Sequence, residues 1–118
     1  MMKYSRMVCW TTPESKKKIL EISEDLPITF TDNYNVFRNN IFNDAYLMID
    51  LTIAHKNLDN LRKLFEDFPK IEFRIISNTE YALGEVCDMF TDFGRYYFQY
   101  APSLEKLIEN FKKEYNNC

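Results

Sequence analysis

The run Tyr46-Leu47-Met48-Ile49-Asp50-Leu51-Thr52 constrains this chain more than any other stretch. Its apolar residues do not alternate with polar ones, so a strand built from them has no face left for water. Such a strand belongs inside a parallel sheet that is covered on both sides. The predicted central strand covers residues 45–51. It carries one carboxylate, Asp50, near its C-terminal end, where open α/β sheets place their ligand sites.

The flanking segments alternate between strand and helix signals. Residues 4–11, with Met7-Val8-Cys9-Trp10 at their centre, predict a first strand. Thr12 then offers a cap and Pro13 suits the first helical position, with Glu14 complementing the dipole. Ile19, Leu20 and Ile22 mark the buried stripe of that helix, which is expected to end near Asp25, ahead of Pro27. Ile28-Thr29-Phe30-Thr31 predicts a second strand, and Asp32-Asn33-Tyr34-Asn35 a turn. Residues 36–44 read as a short helix or a loop with a helical turn, with Val36, Phe37, Ile41 and Phe42 on one face. After the central strand, Leu58, Leu61, Leu64, Phe65 and Phe68 predict a helix over 57–68 that Pro69 stops. Residues 71–77 predict a fourth strand. Asn78 or Thr79 caps a further helix with Leu83, Val86, Cys87 and Phe90 as its stripe, and Gly94 ends it. Residues 96–100 predict a fifth strand. Pro102-Ser103 opens a last helix with Leu104, Leu107, Ile108, Phe111 and Tyr115 on one side. Strand and helix in alternation predict an open parallel sheet with helices on both faces.

Composition narrows the functions available. A chain of 118 residues has room for one domain with a sizeable core, expected over 1–118. Net charge is −3, and the basic residues are dispersed, which argues against nucleic acid as a partner. Lys16-Lys17-Lys18 reads as a solvated helix face. No apolar stretch reaches the roughly 20 residues of a membrane span. The polar N-terminus lacks the core of a signal peptide, and Cys9, Cys87 and Cys118 fit no metal spacing, so a reduced, cytoplasmic setting is expected. With two glycines there is no Gly-rich phosphate loop. His55, the single histidine, reads as a surface loop position.

The polar residues expected at the carboxyl ends of the strands are Thr11 and Thr12 after the first, Asp32 after the second, Asp50 at the third and Ser77 after the fourth. Ala101-Pro102 follows the fifth. This order resembles the receiver domain of bacterial response regulators. Leu47-Met48-Ile49-Asp50-Leu51 is similar to that family's run into its phosphoacceptor, Ser77 falls at its hydroxyl position, and Ala101-Pro102 falls at its Lys-Pro pair. Phe98 falls at its aromatic switch position. The resemblance implies a flavodoxin-like α/β three-layer sandwich with a five-stranded parallel sheet in the order 2-1-3-4-5.

The chain also departs from that pattern. Thr11-Thr12 stands where the family has an acidic pair that holds magnesium, and Ala101 stands where it has Lys. Acyl phosphate formation needs a divalent ion to neutralise charge between carboxylate and phosphoryl group, and magnesium prefers carboxylates to hydroxyls. The resemblance therefore implies a degenerate receiver, without catalysis and without a cofactor. Magnesium is expected only if Asp50 is a working phosphoacceptor, which is the alternative reading. An Asp at a strand end also caps helices or accepts backbone N–H bonds, so that structural role stands beside the chemical one. A third reading is a small enzyme using Cys9, which stands between the first strand and a helix start. Against it, Trp10-Thr11-Thr12-Pro13 offers no cradle of backbone N–H groups. The aromatic residues Phe90, Phe93, Tyr96, Phe98 and Tyr100 either fill the core or face a partner. In receivers that region docks partners and dimers, so a protein partner or a second copy is expected on the 90–111 face.

Overall fold

The computed structural model describes residues 4–22, 25–54, 56–76, 88, 91–92, 99–101 and 103–116, the side chains at 99–101 and 116 excepted. The central strand β3, Ala45–Asp50, is buried at all six positions. It lies between β1, Arg6–Trp10, and β4, Arg74–Ile76, and β2, Ile28–Thr31, lies outside β1. All these pairs are parallel, with Val8 opposite both Leu47 and Thr29 and Ile49 opposite Ile75. The order of these four strands, β2-β1-β3-β4, is the expected one.

Helices cover both faces because β3 needs cover on both. Leu47 and Ile49 point to one side, with Val8, Trp10 and Ile75, and are packed by α2 (Tyr34–Arg38), α3 (Leu51–Ala54) and α4 (Leu58–Asp67). Tyr46 and Met48 point to the other, with Met7, Cys9 and Ile76. That side is packed by α1 (Pro13–Ile22) through Ile19 and by α5 (Leu104–Asn116) through Leu104, Leu107, Ile108 and Phe111. No helix among the described residues is long and apolar enough to cross a membrane.

Several boundaries and faces differ from expectation. The fifth strand expected over 96–100 falls largely outside the described residues. Residues 96–98 lie outside the described residues; among the described residues the backbone of β5, Gln99–Ala101, pairs in parallel with β4. The fourth strand is shorter than 71–77, because Ile71 N–H bonds back to the Phe68 carbonyl and stays out of the ladder. Asn33 serves as a helix cap rather than a turn residue. Its side chain accepts from Val36 N–H at 3.1 Å, so α2 starts at Tyr34 and leaves Val36 and Phe42 exposed. The stripe of α1 reduces to Ile19, with Leu20 59 % exposed. Adjacent helical residues point about 100° apart, so Ile19 and Leu20 do not share a face. The expected helix between 79 and 93 falls almost wholly outside the described residues.

Candidate functional site

Asp50 is the last residue of β3, and α3 begins immediately after it. Its side chain is 0 % exposed. Oδ1 accepts the Thr52 N–H at 2.9 Å, which caps the first turn of α3. Oδ2 accepts the Thr11 hydroxyl at 2.8 Å and the Ser15 hydroxyl at 3.3 Å. Ser15 in turn accepts from Thr12 Oγ1 at 3.4 Å. The last two separations are long for hydroxyl hydrogen bonds, so Thr11 and Thr52 carry most of the compensation.

The donors arrive by short-range logic. Parallel pairing continues one step beyond β1, because Thr11 N–H bonds the Thr31 carbonyl at 2.9 Å. That holds Thr11 level with the end of β3. Pro13 then starts α1, which puts Ser15 in its first turn. The positive end of the helix macrodipole also lies there. A buried carboxylate is tolerated only if its charge is compensated. Here hydroxyls and a backbone N–H do it, and no cation pairs with Asp50 among the described residues.

Of the residues expected at this end of the sheet, the structure brings Thr11, Thr12 and Asp50 together. Asp32 is exposed and stands apart from the network. Its carbonyl, rather than its carboxylate, is engaged, accepting Trp10 Nε1–H at 3.3 Å. Ser77 and the side chain of Ala101 lie outside the described residues, as do His55 and the side chains of Phe90, Phe93, Tyr96, Phe98 and Tyr100. Among the described residues no group of three His, Cys, Asp or Glu could hold a metal ion.

Two residues escaped the sequence reading. Ser15 was legible as the third residue of the helix that starts at Pro13, one turn from the end of the first strand. Lys16 belongs to the basic triplet read as solvated. Its ammonium lies 5.1 Å from the centre of the Phe30 ring. Lys16 and Phe30 border a cavity of about 360 Å³ that Thr11, Thr12, Thr31 and Asp32 also line, whereas Ser15 and Asp50 do not.

The chain matches no family model, no curated protein and no solved structure. What this end of the sheet can do therefore rests on its own geometry.

Cys9 is fully buried between Phe30 and Met48 in the sheet. Burial drives its thiol well above the ordinary range, and the nearby charge of Asp50 pushes the same way. Such a thiol stays protonated at neutral pH, whereas a nucleophile needs the thiolate.

Proposed function

We propose that this chain is a non-catalytic signalling or interaction domain resembling a degenerate receiver, on a flavodoxin-like five-stranded scaffold. In this reading Asp50 organises the loops at the carboxyl end of the sheet and does not accept a phosphoryl group. The observation that carries the reading is the closed state of the carboxylate: no exposure, and both oxygens already accepting hydrogen bonds. A phosphoacceptor must present one oxygen to the incoming phosphorus. The Thr11 hydroxyl takes part in this closure directly and the Thr12 hydroxyl only through Ser15, at the positions where the resemblance would put metal-binding carboxylates. A protein partner or a second copy would dock on the 90–111 face.

An NMR titration with magnesium and then beryllofluoride tests this, on the wild type beside Asp50→Asn. The reading requires that Leu51, Thr52, Thr11 and Ser15 do not respond in an Asp50-dependent way. Saturable shifts at those residues in the wild type, absent from Asp50→Asn, would establish Asp50 as a phosphoacceptor and overturn it.

A further inference from the structure

The sheet ends on β2, which has β1 on one side and no described strand on the other. Met7 N–H bonds the Pro27 carbonyl at 3.0 Å, and Thr11 N–H bonds the Thr31 carbonyl at 2.9 Å. The odd-numbered residues of this segment therefore turn their backbone groups to β1, and Ile28 and Phe30 turn theirs outward. The Ile28 N–H is taken back by the Leu26 carbonyl at 2.9 Å. The Ile28 carbonyl and both backbone groups of Phe30 make no hydrogen bond among the described residues.

Sheet edges are ordinarily guarded by charged side chains, proline or a bulge. The four residues of β2, Ile28-Thr29-Phe30-Thr31, include no charge and no proline, and their register against β1 is unbroken. Thr29 is exposed, and the other three are half-buried. Nothing within the strand opposes the approach of another.

The charges beside this edge suit a second copy of the chain. Lys16 holds its ammonium 5.1 Å from the centre of the Phe30 ring, and Asp32 lines the same cavity as both. Lys16 and Asp32 are exposed, and neither forms an ion pair among the described residues. In an antiparallel pair centred on Phe30, that residue faces its own counterpart, and the two exchange N–H···O=C bonds in both directions. The partner's Asp32 then becomes a diagonal neighbour of Phe30, about 7–8 Å away and within reach of a long side chain. Lys16, lying over Phe30, meets the partner's Asp32 there, and the two-fold axis repeats the contact. One edge thus supplies both halves of a self-complementary interface.

We propose that the open edge of β2 binds a second copy of this chain, strand against strand and antiparallel about Phe30, with Lys16 of each copy paired to Asp32 of the other. The pairing is short, so the dimer is weak. This edge lies across the sheet from β5. The proposal is therefore independent of the 90–111 face and of the role of Asp50.

Sedimentation equilibrium of the full chain, up to about 1 mM, tests it. A monomer–dimer equilibrium is expected. In hydrogen exchange followed by NMR, the Phe30 amide should exchange more slowly at high chain concentration than at low. Asp32→Lys, a change at an exposed position, should weaken the dimer about fivefold, and adding Lys16→Glu should restore it. A chain that stays monomeric throughout, or a Phe30 amide indifferent to concentration, overturns the proposal. So does a dimer that Asp32→Lys leaves unchanged, which would place the association on another surface.

Discussion

Thr11 Oγ1 donates a 2.8 Å hydrogen bond to Asp50 Oδ2, and both side chains are buried. The contact ties the end of β1 to the end of β3, and the residues are 39 positions apart in the chain. Thr11→Val keeps the shape and removes the donor, leaving a buried carboxylate oxygen with only the long Ser15 contact. It should cost about 1–3 kcal/mol, as expected for an unmet buried acceptor. Thr11→Ser keeps the hydroxyl and should cost less. Urea unfolding of both variants checks the order.

Asp50→Ala should destabilise as well, because Thr52 N–H loses its cap and Thr11 loses its acceptor. Loss of a helix cap alone costs about 1 kcal/mol. Amide hydrogen exchange should accelerate over Leu51–Ala54 before it does in α4. Equal acceleration in the two helices would show that the cap is not local.

Cys9 should resist alkylation by iodoacetamide in the native state at neutral pH and react once the chain is unfolded. Its folded pKa is raised, by burial first and by Asp50 second, from an ordinary 9.0. The unfolded thiol therefore ionises first as pH rises. The associated stability is fully present below 9.0 and is lost progressively above it. Urea midpoints measured on both sides of that value should fall in the wild type and fall less in Cys9→Ala.

Asp44 should contribute to acid sensitivity. The Ser5 hydroxyl donates to Asp44 Oδ2, and Arg6 lies 3.5 Å from the same oxygen. The Ser5 hydrogen bond is the main cause that holds the carboxyl below its ordinary 3.8, with the Arg6 charge assisting. A depressed folded pKa gives stability that is present above 3.8 and lost as pH falls through the lower folded value. Ser5→Ala should reduce the difference in urea midpoint between neutral and acid pH.

Within α4, Leu61→Ala should cost about 2–5 kcal/mol by leaving a cavity. Leu58→Ala should stay within about 0.5 kcal/mol. Leu61 is fully buried and Leu58 is 39 % exposed, although both belong to the same apolar stripe of the sequence. Thermal unfolding of the pair separates stripe membership from burial.

The parallel sheet was legible because burial on two faces leaves a direct trace in composition. Residues 45–50 show it at every position, and the helix starting at Pro13 was equally plain. Asn33 was ambiguous, since the same side-chain oxygen suits a turn or a helix cap, and only the path of the following residues distinguishes them. Leu58 and Leu20 were misread for a related reason. Periodicity places residues on a helix face but does not say how far the neighbouring layer extends.

Asp50 was visible as a strand-end carboxylate, while its surroundings were not. By itself the sequence determined the alternation of strands and helices, the burial of β3 and the end of the sheet that holds Asp50, because these follow from local periodicity and capping. Only the tertiary structure decided that Asp50 is closed off by Thr11, Ser15 and Thr52, and that β2 stands at the edge of the sheet. Thr11 and Ser15 lie 39 and 35 positions from Asp50. Contacts across such separations are set by which strands pair and in what register, and no periodicity within one segment records that.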